Sequence, residues 1–298
     1  MGHKPSPSHV ISRSTMFSID QYELLDFGDG RKLERFGAAI VDRPSPQAEV
    51  SRRRPELWES VDLRYNRERT NTPDQLAWIG APPSAWQIGH EGTRFELQPA
   101  PTGQVGVFPE QAENWDWLDQ QMDRLDGREP RVLNLFGYTG GSTLAVAAKS
   151  AETVHIDASK PVVEWGRRNA VLSQMGDCTI RWIVEDATKF VQREGRRDRT
   201  YHGIVLDPPS FGRGPNGENW QLSSSLPDLL ALCEPLLLPV GFLLVTCHTT
   251  GFAADDLHRI VAQQFRGRPG TLHSAALQLT TAAGESLASG FSVRWEGS

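Results

Sequence analysis

Cysteine is scarce: three occur in 298 residues, Cys178, Cys233 and Cys247, and no two form a C-x-x-C pair. That argues against a disulfide framework and a thiolate zinc site, so a reducing, cytoplasmic setting and no metal are expected. No apolar run approaches the roughly 20 residues of a membrane-spanning helix, so no membrane partner is expected either. The N-terminal stretch MGHKPSPSHVISRSTMF has no apolar core of secretory length. Its Ser, Pro and His content predicts a disordered tail over residues 1–16. Positive charge is in short supply, with 31 Lys and Arg against 37 Asp and Glu and a net charge of −6. The chain as a whole is therefore not an electrostatic glove for nucleic acid, and any such binding must be local.

What is present is organised around one stretch, RVLNLFGYTGGSTLAVAA, from Arg131 to Ala148. Its apolar run Val132-Leu133-Asn134-Leu135-Phe136 is too short for a helix and ends in glycine, which predicts a buried parallel strand. The turn Gly137-Tyr138-Thr139-Gly140-Gly141 follows, and from Ser142 the pattern becomes an alanine-rich helix. A strand, a glycine turn and a helix N-terminus in that order present backbone N–H groups to an anionic ligand, so a cofactor is expected here.

Upstream, residues 17–108 read as a β-rich region that helps to hold substrate. Strand-like pieces fall at 22–27, 36–41, 76–79, 95–97 and 105–108, punctuated by Gly28-Asp29-Gly30 and Pro44-Ser45-Pro46. Arginine is dense at Arg52, Arg53, Arg54, Arg64, Arg67 and Arg69, with Trp58 and Tyr65 interleaved. Such a segment suits a phosphate backbone with unstacked bases. It suits equally a solvated face balanced by Glu56, Glu59, Asp62 and Glu68.

Downstream, Trp115, Leu118, Met122 and Leu125 give helical spacing over 111–125. Strands expected at 153–157, 180–184, 203–206 and 240–246 alternate with helices at 161–175, 187–193, 222–232 and 254–265. An antiparallel pair at 272–279 and 291–295 closes the series. With the 132–136 strand this predicts an α/β fold, a seven-stranded, doubly wound, mostly parallel sheet whose ligands sit at the strands' carboxyl ends.

Those ends carry the 137–141 turn, Asp157, Glu185-Asp186 and Asp207. An acid about 20 residues past the glycine turn suits two ribose hydroxyls, as NAD-binding proteins also have it. Asp157 and Asp186 also precede helices, where an acid alone is commonly an N-cap; their joint placement on one sheet edge favours a ligand. Two features separate the readings. The 137–141 turn lacks the G-x-G-x-x-G spacing of a dinucleotide site, and Asp207-Pro208-Pro209-Ser210-Phe211 follows the fourth strand. A Phe after two prolines in a Gly/Asn-rich loop is suited to be an exposed platform on which a flat substrate stacks.

Together NLFGYTGG, HIDASK, EDATKF, DPPSF and GFLLVTC resemble the class I S-adenosylmethionine-dependent methyltransferases. Within them they most resemble the branch containing large-subunit ribosomal RNA cytosine-5 and guanine methyltransferases. The likeness runs from Gln104 to the C-terminus. It implies a Rossmann-like methyltransferase domain over 109–298, S-adenosylmethionine as cofactor, and methylation of an RNA base in ribosomal RNA processing. It also implies that Phe136, Gly137, Tyr138, Thr139 and Gly140 cradle the methionine part, with backbone donors facing its carboxylate. Asp157 would take the ribose hydroxyls with Ala158 and Ser159 beside the adenine. Asp186 would accept from the adenine amine with Ala187 packed near it, and Asp207 would face the methionine ammonium. Glu110 and Gln111 fall where the branch lines the cofactor pocket, in a segment spelled differently here.

The sulfonium methyl is already electrophilic, so the protein mainly aligns the acceptor and excludes water. Asp207, Pro208, Pro209 and Phe211 are the residues expected at the reacting centre. A nitrogen acceptor needs little more, whereas cytosine carbon-5 needs a cysteine to add at the neighbouring ring carbon. Cys247 ends the fifth strand and is the candidate. Aligned on Gly251, however, the cytosine-5 enzymes place their cysteine where this chain has Thr249, and a buried structural cysteine is the alternative. His248 is either a base or a loop histidine. Rival readings are a methyltransferase of proteins or small molecules, a dinucleotide-dependent oxidoreductase, and a cofactor binder that no longer catalyses.

Overall fold

The structure, a computed structural model, describes residues 17–66, 77–214 and 217–298. The tail over 1–16, Arg67, Glu68, Arg69, Leu76, Pro215 and Asn216 lie outside the described residues.

The N-terminal region forms a five-stranded sheet of β1 (Tyr22–Gly28), β2 (Arg31–Phe36), β3 (Ala39–Pro44), β4 (Leu63–Tyr65) and β5 (Trp78–Gly80), in that spatial order. The strand expected over 36–41 is instead a hairpin. Phe36 ends β2 and Ala39 begins β3, because Gly37 adopts a left-handed φ of 59° and turns the chain. A second hairpin joins β6 (Gln87–His90) to β7 (Thr93–Glu96). No strand forms over 105–108; Val105 and Val107 are buried as irregular chain.

The central sheet has seven strands: β8 (Arg131–Leu135), β9 (Glu152–Asp157), β10 (Ile180–Val184), β11 (Tyr201–Leu206), β14 (Leu237–Cys247), β15 (Gly270–Thr280) and β16 (Ser286–Gly297). Their order is β10-β9-β8-β11-β14-β16-β15, parallel through β14 and antiparallel beyond it. Between β11 and β14 the chain makes a small hairpin, β12 (Phe211–Arg213) with β13 (Asn219–Gln221), which sequence reading treated as loop. Helices α1 (Ala112–Arg124), α2 (Gly141–Ala147), α3 (Lys160–Leu172), α4 (Ala187–Gly195), α5 (Leu222–Cys233) and α6 (Ala254–Gln264) connect the strands. Connections run opposite ways from β8 and β11, and the crevice above that reversal is where open α/β sheets bind ligands.

Strand alternation sorts the core into two layers. Val205, Phe242 and Leu244 face α1 and α2, while Ile204, Leu206, Leu243, Val245 and Cys247 face α4, α5 and α6. The first layer continues into the N-terminal region. Leu24, Phe36, Trp86, Ile88 and Phe95 pack in one cluster with Trp115, Leu118, Met122 and Leu279. A backbone bridge between Leu24 and Thr281 adds to this seam. The described residues of 17–108 thus share a core with the central sheet.

The described arginines of the basic segment are engaged within the protein. Arg52 lies 3.9 Å over the Trp58 ring and pairs with Asp29, Arg53 pairs with Glu285, Arg54 donates to the Leu25 carbonyl, and Arg64 meets Asp42 at 2.8 Å. This is the balanced face, although its acids are Asp29 in the β1–β2 turn, Asp42 on β3 and Glu285 just before β16 rather than Glu56, Glu59 and Asp62. Among the described residues no helix is long and apolar enough to cross a membrane.

Candidate active site

The glycine turn is shaped by what lies beneath it. Phe136, Tyr138 and Gly140 all have positive φ, at 57°, 47° and 92°. A Cβ on Gly137 would come within 2.4 Å of the His155 ring, so only glycine fits there. Under the turn, Asn134 Nδ2 donates to Thr143 Oγ1 at 2.8 Å, and Thr143 Oγ1 meets His155 Nδ1 at 2.8 Å. Burial pushes His155 down to about 3, so it is a neutral packing residue. From above, Thr139 Oγ1 donates to the Gly106 carbonyl at 2.6 Å and Asn169 Nδ2 to the Thr139 carbonyl at 3.0 Å. The N–H groups of Gly137, Tyr138 and Gly140 go to Ile156 O, Asp157 Oδ2 and Gly137 O. The expectation that the turn's donors face a bound carboxylate therefore narrows to the remaining N–H groups around Thr139 and the start of α2.

Beside the turn opens a cavity of about 420 Å³, within the roughly 300–1,000 Å³ of small-molecule sites. Asp157, Asp186 and Asp207 all line it, with Ala158, Ala187, Phe136 and Tyr138. Asp157 accepts from Tyr138 N at 3.0 Å and Ser159 N at 2.9 Å, and burial raises its carboxyl above the usual range despite both bonds. Asp186 is the N-cap of α4, accepting from Lys189 N at 2.9 Å through Oδ1. It is a cap and a cavity wall at once.

Asp207 sits in a polar cluster. Thr246 donates to Oδ1, Gln111 Nε2 donates to Oδ2 at 3.0 Å, and His248 Nε2 lies 3.4 Å from Oδ1. Burial works to raise this carboxyl, but His248, Thr246 and Gln111 outweigh it and hold it below the usual range. Gln111 is itself fixed by Asn114, whose Nδ2 donates to Oε1 at 2.7 Å. Nδ1 of His248 donates to the Ser289 carbonyl at 2.6 Å. Burial disfavours the His248 cation, but Asp207 and Glu110 more than reverse this and raise it to about 9.

Not every candidate arrives at the cavity. Cys247 is 0 % exposed and packs on the α5 and α6 side of β14, because it alternates with Thr246, which faces Asp207. Burial also raises its thiol. The structure therefore does not bring this thiol to the site, and Thr249, bonded through Oγ1 to Ser210 Oγ at 2.7 Å, lines the wall instead. Phe211 is 72 % exposed on β12 and is not among the residues that line the cavity, whereas Pro208, Pro209, Ser210 and Gly212 are. Ser159 serves Asp157 through its backbone, and Glu110 lies in an adjoining cleft. Sequence reading missed Trp220, whose Nε1 donates to the Pro209 carbonyl at 2.7 Å while its ring packs 4.8 Å from Phe136. It missed Gln104 as well.

Comparison with known proteins decides what class of site this is. The family of S-adenosylmethionine-dependent methyltransferases matches residues 60–269. The chain belongs to that family. A solved structure of a SAM-dependent methyltransferase from Agrobacterium tumefaciens is 37% identical, with a TM-score of 0.86, covering 93% of this chain and 91% of that one. Ribosomal RNA large subunit methyltransferase K/L of Syntrophotalea carbinolica is 32% identical over 177 residues, 57% of this chain and 24% of the relative. Ribosomal RNA large subunit methyltransferase I of Tolumonas auensis is 32% identical over 152 residues, 49% of this chain and 38% of the relative. The methyltransferase thus spans well under half the length of these two. Its cofactor, S-adenosylmethionine, fits the set of acceptors present. A ligand with vicinal hydroxyls, an exocyclic amine and an ammonium meets three carboxylates around one cavity. The matched span also crosses residue 108, in keeping with the shared core.

Proposed function

We propose that this methyltransferase acts on a base of ribosomal RNA, and that Asp157, Asp186 and Asp207 hold the cofactor. The convergence of these three carboxylates on one cavity at the sheet's reversal point carries the reading. The RNA acceptor is supported by the ribosomal RNA methyltransferases among its relatives. We assign the ribose hydroxyls to Asp157, with Ala158 and Ser159 bordering the adenine, the adenine amine to Asp186 with Ala187 beside it, and the methionine ammonium to Asp207. Phe136 to Gly140 wrap the methionine part, and Gln111 orients Asp207. Such a substrate puts the reaction in the cytoplasm.

When bound, the cofactor supplies an electrophilic sulfonium methyl. The chain's own contribution is to align the acceptor and keep water out, which is worth about 7–11 kcal/mol when geometry is well held. Pro208 and Pro209 shape the wall beside Asp207, and the Pro209 carbonyl is pinned by Trp220. The buried Cys247 favours an acceptor that needs no thiol adduct, a ring nitrogen or an exocyclic amine. Phe211 and the exposed Arg213 on the β12–β13 hairpin contact RNA outside the target base, and the N-terminal sheet helps to hold the substrate.

The test is to incubate the protein with methyl-labelled S-adenosylmethionine and total RNA from cells lacking it, then to analyse nucleosides by mass spectrometry. Label in one modified nucleoside is expected. Absence of label in RNA, with cofactor binding intact, would transfer the assignment to a protein or small-molecule acceptor.

A further inference from the structure

A second cleft of about 250 Å³ lies between β2, β3 and the loop after β14. Lys32, Arg43, Gln104, Phe108, Glu110 and His248 are among its lining residues. Gln104, Phe108 and His248 also line the larger cavity, so the two spaces adjoin at these side chains, beside Asp207.

The walls of this cleft are preorganised. Arg43, buried against Glu34 at 2.5 and 3.0 Å, donates from Nη1 to Gln104 Oε1 at 3.1 Å. With its oxygen taken, the Gln104 amide has its two N–H donors left to offer. The turn that carries it is held by Ala100 N to Gln104 O at 2.9 Å, Tyr65 Oη to Pro101 O at 3.0 Å and Trp78 Nε1 to Ala100 O at 2.7 Å. Glu110 is more than nine-tenths buried, and its Oε2 has no hydrogen-bond partner among the described residues. The Phe108 ring stacks on His248 at 6.0 Å and 26°. A flat apolar ring, a fixed amide donor and an unsatisfied carboxylate acceptor in one cleft match a planar heterocycle whose edge carries a carbonyl or ring nitrogen next to an amine.

We propose that this cleft is the acceptor pocket: a nucleobase enters beside the N-terminal sheet, lies against Phe108, and has its polar edge read by Gln104 and Glu110. The proposal rests on the RNA-base reading above and gives it a specificity-determining residue, Gln104. It explains why a buried ion pair of the N-terminal sheet ends at the mouth of the cofactor cavity. That sheet serves the reaction by holding one amide still.

The test uses Gln104→Ala and Gln104→Glu in the full chain. The glutamate keeps an oxygen for Arg43 but removes the donors. Two quantities are read: the rate of label transfer from methyl-labelled S-adenosylmethionine into RNA, and the affinity for S-adenosylhomocysteine by calorimetry. Both variants should lose about tenfold or more in kcat/KM for RNA while binding S-adenosylhomocysteine as the wild type does. If wild type labels RNA and both variants label it within about twofold, the pocket assignment falls and the function stands. A parallel loss of S-adenosylhomocysteine affinity would also overturn it, by placing Gln104 on the cofactor. If the wild-type protein labels no RNA, the functional reading itself falls and this proposal with it.

Discussion

The two sheets bury carboxylates under opposite constraints. In the N-terminal sheet, Glu34 accepts from Tyr22 Oη at 2.9 Å and is gripped by Arg43 and Lys32. Burial opposes its charge, but Arg43 and Lys32 win and bring it from 4.5 down to about 2. In the central sheet, Asp157 is only partly buried, at the cavity wall, but among the described residues it has no cation, only two backbone N–H groups, and desolvation leaves it raised. The first acid is satisfied by the fold. The second is left costly by the fold, and a ligand offering hydroxyl donors would relieve it. A buried acid in excess of its partners is thus a better guide to the site than a buried acid as such.

Substitutions can break this comparison. Glu34→Ala leaves Arg43 buried without its counter-ion and should cost about 3–5 kcal/mol in urea unfolding. A cost below about 1 kcal/mol would mean that the pair is not part of the core. Phe211→Ala should leave the unfolding midpoint and S-adenosylhomocysteine affinity unchanged. It should weaken RNA binding by about 5- to 150-fold, the range expected for one lost stacking contact; unaltered RNA affinity would remove its role.

His248 provides a pH-dependent test. Its folded value of about 9 lies above 6.5, so the stability from its cation is complete below pH 6.5 and is lost as pH rises to about 9. His248→Gln should therefore cost about 3 kcal/mol near pH 6 and little near pH 10. A penalty independent of pH would show that the Asp207 contact is not ionic. Smallest of all, Cys247→Ala should cost only about 1 kcal/mol of core packing and keep methyl transfer within twofold. Loss of transfer with the fold intact would restore the covalent route.

Much of this arrangement was legible in the sequence because it depends on local signals. The run from Val132 to Phe136 followed by glycine, and the acids after the later strands, bring the turn and three carboxylates to one sheet edge with little tertiary information. Sidedness was harder to read. Cys247 and Thr246 differ by one residue, and only the packing of β14 between α1 and α5 decides which faces Asp207. Gln104 was invisible for a different reason. Its orientation depends on Arg43, 61 residues away, and on Tyr65 and Trp78 holding its turn, none of which leaves a spacing pattern. The partners of the basic segment were hidden in the same way, since the acids that meet Arg52, Arg53 and Arg64 are Asp29, Glu285 and Asp42 across the fold.

The most direct test is calorimetric titration of S-adenosylhomocysteine into wild type and Asp157→Asn, with unfolding measured on both. The amide cannot supply the charged acceptor that two hydroxyls need. Affinity should fall by about 10- to 150-fold, the range for lost hydrogen bonds to a charged group, while stability falls by no more than about 1 kcal/mol, because removing the charge offsets the one backbone N–H, of Tyr138 or Ser159, left without its acceptor. Affinity within twofold of wild type, or a loss of stability comparable to that of Glu34→Ala, would contradict the distinction between the two sheets.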